Sequence, residues 1–217
     1  MRKKSHISLA RYIVHSLDNQ ELVKHRKAFY IGSILPDCKP SFLTTKHEFT
    51  GTFSMVEDKI RQMISEYDPV EHSERNYAIN LGQVLHYIAD YFTFPHNEIY
   101  DGNLKDHCVY EKELKFGLRA YIKSGEAERV SESMASRTAA SEPVENMPAV
   151  NVSVEEIDSC DALMKFIKKA HQEYLNMKHS IEKDCLYIVQ ICQQVAEAIL
   201  NLFRLQGSRN QTAVYAV

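Results

Sequence analysis

The sequence predicts an all-α protein, a multi-helix bundle in one domain, and three observations lead there. Only 7 Gly and 6 Pro occur among 217 residues, too few for a β-rich fold with many tight turns. Long stretches place apolar residues at spacings of three and four, the period of an amphipathic helix. Hydrophobic residues make up 44% and charged residues 25%, a balance that supports one sizeable core.

The helices follow in order. Ser5 can cap a first helix from about His6 to Ser16, with Ile7, Ala10, Ile13 and Val14 at helical spacing. A second is predicted from about Gln20 to Ile34, ended by the Leu35-Pro36 step. Residues 36–52 carry Pro, Asp, Thr and Gly and read as a functional loop. A helix from about Thr52 to Glu66 presents Met55, Ile60, Met63 and Ile64. The strongest helix runs from Ser73, a good N-cap, to Phe92, with Ala78, Leu81, Leu85, Ile88 and Ala89 as a buried stripe. Phe94-Pro95 stops it, and a short loop leads to a helix from about Asp106 to Lys123.

Residues 125–156 change character to Gly, Glu, Ser, Ala, Thr and Pro and are expected to form a flexible insertion. Two helices close the bundle, about Ser159 to Met177 and His179 to Leu205, and the tail after Gly207 is expected to fray.

The bulk properties narrow the function classes. A net charge of -3 and a pI near 6.4 argue against a protein dominated by phosphate-backbone contacts, so nucleic acid is not the expected partner. Five cysteines, with no CxxC pair, indicate neither a disulfide framework nor a Cys-rich zinc knuckle. The N-terminus is basic but reaches no apolar signal region, and no window offers the ~20 apolar residues of a membrane span. The expected address is cytoplasmic.

Ten histidines stand out by placement. In LHYIAD, His86 and Asp90 are four apart on a helix, so both side chains share one face and can bind one cation together. In DHCVYEKEL, His107 and Glu111 repeat the arrangement on the next helix. PHN places His96 just beyond a helix stop, LPDCKP offers Asp37, TTKHEF offers His47, and His6 sits in the first helix. Imidazole and carboxylate ligands without thiolates suit catalytic rather than structural zinc. Each pair alone is commonly a surface ion pair, but Asp90 beside an apolar stripe calls for a cation.

The order SH, PD, KH, HYIAD, PH, HCVYE resembles the zinc-dependent phospholipase C family, with the fungal single-strand nucleases as more distant relatives by fold. The resemblance spans roughly residues 5–120 with all ligand motifs in order, and residues 159–205 fit as further bundle helices. It implies a cluster of two or three zinc ions. Asp37, His47, His86 and Asp90 would hold one, and His96, His107 and Glu111 a second. Asp90 would bridge toward a third, shared with His6. The implied reaction is phosphodiester hydrolysis by a metal-activated water, with Asp37 as ligand and orienting base. The implied substrate is a phospholipid or small phosphodiester. The basic cluster Arg2-Lys3-Lys4 could make transient contact with an anionic membrane surface, but so short a solvated run usually does nothing so specific.

Two departures matter. Secreted members complete the third site with the amino group and carbonyl of an N-terminal Trp, and this chain has no Trp. Cys38 follows Asp37 where choline-preferring members carry an aromatic residue, so that preference is not implied. Two alternatives stay open: a nuclease-like enzyme of this fold, and a non-catalytic, metal-stabilised binding or scaffold module. His15, His25, His72, His171 and His179 fall outside the pattern and read as surface or boundary residues. His171 and His179 could still reach the cleft mouth. The aromatic residues about the motifs, Tyr87, Tyr91, Phe92, Phe94 and Tyr100, read chiefly as packing core.

Overall fold

Helix α5 (Glu74–Tyr91) runs through the centre of the molecule, and its residues show why: Ala78, Leu81, Leu85, Ile88 and Ala89 are all buried. Ser73 caps it by accepting a hydrogen bond from the backbone N–H of Asn76. The structure, a computed structural model, describes residues 1–38, 47–65, 73–135 and 154–214. Among these, nine α-helices and no strand occur. The bundle predicted from the apolar spacing is the fold observed.

The chain enters through α1 (Lys3–Ser16), then α2 (Gln20–Lys24) and α3 (Arg26–Gly32), and turns through a short 3-10 segment at Pro36–Cys38. Helix α4 (Phe49–Ser65) precedes α5, a 3-10 turn at Phe94–His96 follows it, and α6 (Leu104–Lys123) comes next. Then come α7 (Glu126–Ala135), α8 (Cys160–Leu175) and the long α9 (Ile181–Val214). Helix α5 packs most extensively against α3 and α9, and α9 also supports α6 and α4. Over Ile181–Gln206, α9 is long and apolar enough to cross a membrane, but 61% of that stretch is buried in the bundle. Its hydrophobicity is accounted for by core packing.

Several sequence expectations are corrected. The single helix expected over 20–34 breaks at His25, whose backbone (φ -100°, ψ 16°) leaves the helical region. Ser5 caps nothing: α1 starts at Lys3, and Ser5 lies buried within it. The presumed insertion 125–156 contains helix α7, whose Ala127 is fully buried, and a 3-10 turn at Val154–Glu156. Residues 136–153 lie outside the described residues, as does His72. Instead of fraying after Gly207, α9 continues to Val214.

Two glycines set the approach of α3 to α5. A Cβ on Gly82 would run into the carbonyl oxygen of Phe29, and one on Gly32 into that of Ile79. The two backbones are therefore in direct contact, which only glycine permits. Gly82→Ala is expected to force the helices apart and cost about 1–3 kcal/mol, the usual penalty of overpacking. Urea denaturation would show this as a lower midpoint, and an unchanged midpoint would mean the contact can relax freely.

Candidate metal centre

Asp90 is the hub. It sits on the last turn of α5 with no exposed surface, and five groups converge on its carboxylate. Oδ1 lies 2.5 Å from the Met1 amino group and 3.3 Å from His6 Nε2. Oδ2 lies 3.0 Å from His47 Nδ1, 3.3 Å from His86 Nε2 and 3.9 Å from His96 Nδ1. Burial opposes ionisation here, but the Met1 ammonium and the surrounding histidines hold the Asp90 carboxyl well below its usual range.

The helical spacing does the work the sequence suggested. His86 and Asp90, one turn apart on α5, both face the cluster. The Nδ1 of His86 is 2.9 Å from the Ser33 carbonyl, which sits just after Gly32. As the hydrogen-bond donor to that carbonyl, Nδ1 carries the proton and leaves Nε2 free to face inward. Burial and the neighbouring His6 push the His86 pKa well below its ordinary value, which favours the neutral ring. His6 stacks on His86, with ring centroids 3.9 Å apart.

The remaining predicted ligands arrive from loops and α6. Asp37, in the 3-10 turn, places Oδ1 3.5 Å from His86 Nε2 and 3.9 Å from His47 Nδ1. His47 precedes α4 and is also buried. His96 ends the turn after α5, with Nε2 3.3 Å from Glu111 Oε1. His107 Nε2, one helical turn before Glu111 on α6, is 3.4 Å from the same oxygen. Desolvation works against the Glu111 charge, but His107, His96 and the Met1 amine together keep its carboxyl well below the usual glutamate range.

The structure thus brings all eight predicted residues together. Their donor atoms fall into three groups, each within 4.8 Å: His6, Asp37 and His86; His47, His86 and Asp90; His96, His107 and Glu111. His6 Nε2 is buried 3.3 Å from Asp90 Oδ1 without hydrogen-bond geometry to it, and a cation between the two would satisfy both. All the donors are nitrogen or oxygen. This donor set fits zinc.

The model for zinc dependent phospholipase C matches residues 5–181. The chain belongs to the zinc-dependent phospholipase C family. Neither a curated protein nor a solved structure matched it. The family match extends from α1 to the start of α9, well beyond the ligand motifs.

Within this phospholipase C-family chain, the cluster lies at the base of a cleft of about 1210 Å³. Asp37, His47, His96, His107 and Glu111 open into it, as does Met1, whereas Asp90 and His86 lie behind. The absence of Trp put a third metal in doubt, but an amine is present: the Met1 amino group lies within the cluster. That group is 3.0 Å from His96 Nε2 and 3.2 Å from Glu111. Burial lowers its pKa, but Asp90 and Glu111 outweigh this, so the ammonium is favoured. Binding a metal there would release its proton.

Other residues of the site gave no sequence signal. Asp184 on α9 is fully buried and accepts hydrogen bonds from Phe94 N–H (3.0 Å), Tyr110 OH (2.9 Å) and Tyr174 OH (2.8 Å). It ties together the turn that presents His96 and the helix that presents His107 and Glu111. His171 is not at the cleft mouth; it is buried, stacks on Phe49 and bonds Asn97, which in turn donates to the carbonyls of Tyr91 and Thr93. His179 stacks on Phe94, also outside the cleft lining. Tyr91 and Phe92 are core, as expected, whereas Tyr100 lines the cleft. A fourth grouping, Glu21, His25 and Glu74, is a solvated network around Lys24 rather than a site.

Proposed function

We propose that the protein is a zinc-dependent phosphodiester hydrolase that cleaves phospholipids in the manner of a phospholipase C. The observation that supports this most is eight nitrogen and oxygen donors converging at the base of an open cleft, with no thiolate among them. Structural zinc sites are closed and favour cysteine, whereas catalytic sites keep access for water and substrate.

Asp37, His47, His86 and Asp90 would hold one ion; His96, His107 and Glu111 a second; His6, Asp90 and the Met1 amine a third. When bound, zinc lowers the pKa of water toward neutrality and offsets charge on phosphoryl oxygens. The residues of the chain supply the rest. Asp37 faces the cleft, and burial raises its carboxyl pKa, which suits a base that orients the attacking water and accepts its proton. The Ser33 carbonyl fixes the His86 ring so that one nitrogen faces the cluster. Asp90 offsets cationic charge from a position closed to solvent. In the net reaction the water oxygen bonds to phosphorus, and the bond from phosphorus to the glycerol oxygen breaks. Diacylglycerol then leaves with that oxygen and a proton.

The test is zinc content by elemental analysis beside turnover of a short-chain phospholipid, a chromogenic phosphodiester and single-stranded DNA. Two or three zinc ions per chain are expected, with phospholipid hydrolysis that a chelator abolishes and added zinc restores. Tightly bound zinc with no turnover on any substrate would favour a scaffold. Cleavage of DNA alone would make the protein nuclease-like.

A further inference from the structure

Helix α6 carries more than its two ligands. Its buried side chains, Leu114 and Leu118, face the bundle, while His107, Glu111 and Lys115 line the cleft. Large apolar residues on the same helix point away from the protein. Leu104 is 79% exposed and Phe116 is 55% exposed, with Val109 also outside. Leu104 itself forms part of the cleft rim. The described residues leave about half or more of each of these side chains uncovered.

They are set among cations. Lys112 and Arg119 flank Phe116 at the helical spacings of four and three, on its own exposed face. Lys115 places Nζ 4.1 Å from the Phe116 ring centroid. Arg2 reaches over from the start of the chain and bonds the Cys108 carbonyl at 2.8 Å. Burial lowers the Lys115 pKa, as does repulsion from Arg2, Arg119, Lys4 and Lys112. Of the acidic residues of α6, Asp106 completes the capping box with Asn103 and Glu111 belongs to the cluster, while Glu113, three residues before Phe116, borders the face on the side away from Lys112 and Arg119. In a chain of net charge -3, this is a local inversion of sign at the mouth of the candidate site.

We propose that this face is a docking surface for an anionic phospholipid bilayer, with the basic residues meeting the headgroups and Leu104 and Phe116 entering the interface. The purpose of the surface rests on the phospholipid reading above, since docking here would bring the cleft mouth to the membrane. Phosphate-rich nucleic acid would also attract five cations, but protruding aliphatic side chains between them match an interface with an apolar interior.

The experiment is co-sedimentation of the zinc-loaded protein with phosphatidylcholine vesicles, with and without phosphatidylserine, for wild type, K112E/R119E and F116S. All three substituted positions are exposed and lie outside the cleft, so zinc content and hydrolysis of a monomeric short-chain diester should stay unchanged. Wild type should bind the phosphatidylserine vesicles and release with added salt. K112E/R119E should bind about thirtyfold or more weakly, since each positive charge removed near an anionic leaflet weakens binding about fivefold. F116S should bind about tenfold more weakly.

Equal sedimentation of all three proteins, or of wild type with both vesicle types, would overturn the proposal. Salt-sensitive binding of single-stranded DNA that depends on Lys112 and Arg119, without vesicle binding, would reassign the face to nucleic acid. Vesicle binding is read without turnover. A protein that docks but hydrolyses no diester therefore refutes the enzyme reading alone, and an enzyme active on monomers that never sediments refutes the docking surface alone.

Discussion

Asp90→Asn is expected to remove at least one zinc ion per chain and to lower phosphodiester turnover by more than 100-fold. The substitution keeps the shape and the burial, so the effect isolates the charge. In the native side chain both oxygens act as acceptors: Oδ1 faces the Met1 amine and His6, and Oδ2 faces His47 and His86. An amide removes the charge and leaves one of those edges an NH2 with no lone pair to offer a cation. Loss of a partner outside the ligand set typically costs ~10–100-fold in metal affinity or activity. A carboxylate shared by two ligand groups should exceed that. Elemental analysis and a turnover assay, with circular dichroism to confirm the helices, would decide it. Full zinc content and full activity in the variant would mean that the reaction occurs elsewhere.

The second large effect is expected at Asp184, which touches none of the proposed ligands. Asp184→Ala would leave Phe94 N–H and the hydroxyls of Tyr110 and Tyr174 without their acceptor in the interior. Each stranded donor costs about 1–3 kcal/mol, so a loss of at least 3 kcal/mol is expected in denaturant unfolding. Zinc affinity should fall with it, by ~10–100-fold, because the His96 turn and the Tyr110 segment of α6 lose their common support. Asp184→Asn keeps one acceptor oxygen and should be milder.

The same residue carries a pH signature. Burial raises the Asp184 carboxyl from 3.8 to about 7. The folded chain therefore holds a proton that the unfolded chain has released, and its contribution to stability is complete below about pH 4 and lost as pH rises to about 7. Wild-type stability measured relative to Asp184→Asn should decline across that window. A difference that stays constant with pH would mean the carboxylate is ionised throughout.

The ligands legible in the sequence are those whose geometry is local. His86 and Asp90, and His107 and Glu111, could be placed on common faces because four residues of α-helix always make about one turn. The apolar stripe of α5 and its Ser73 cap were readable for the same reason. The supporting groups were not. The Met1 amine meets Asp90 across 89 residues, Ser33 meets His86 across 53, and Asp184 meets Phe94 across 90. No period links such partners, and Ser33 contributes only a backbone carbonyl, which every residue possesses. Asp184 gave no sign either, since it stands beside Glu182 and Lys183 in the first turn of α9, where a carboxylate is ordinary. The break at His25 had no Gly or Pro to announce it, and the helix at Glu126–Ala135 was missed because it has few large apolar residues, although its Glu, Ala, Arg and Met are good helix formers.

The position of Asp184 also bears on the order in which the molecule is made. It stands 90 residues beyond Phe94 and 74 beyond Tyr110. At ordinary rates of synthesis that separation is on the order of ten seconds. During that interval every proposed ligand has been made, from His6 to Glu111, while the residue that fixes two of their segments is still absent. A nascent chain could gather zinc in that interval but could not hold it in a fixed geometry. Firm capture would then coincide with the arrival of α9, so that metal retention reports completion of the bundle.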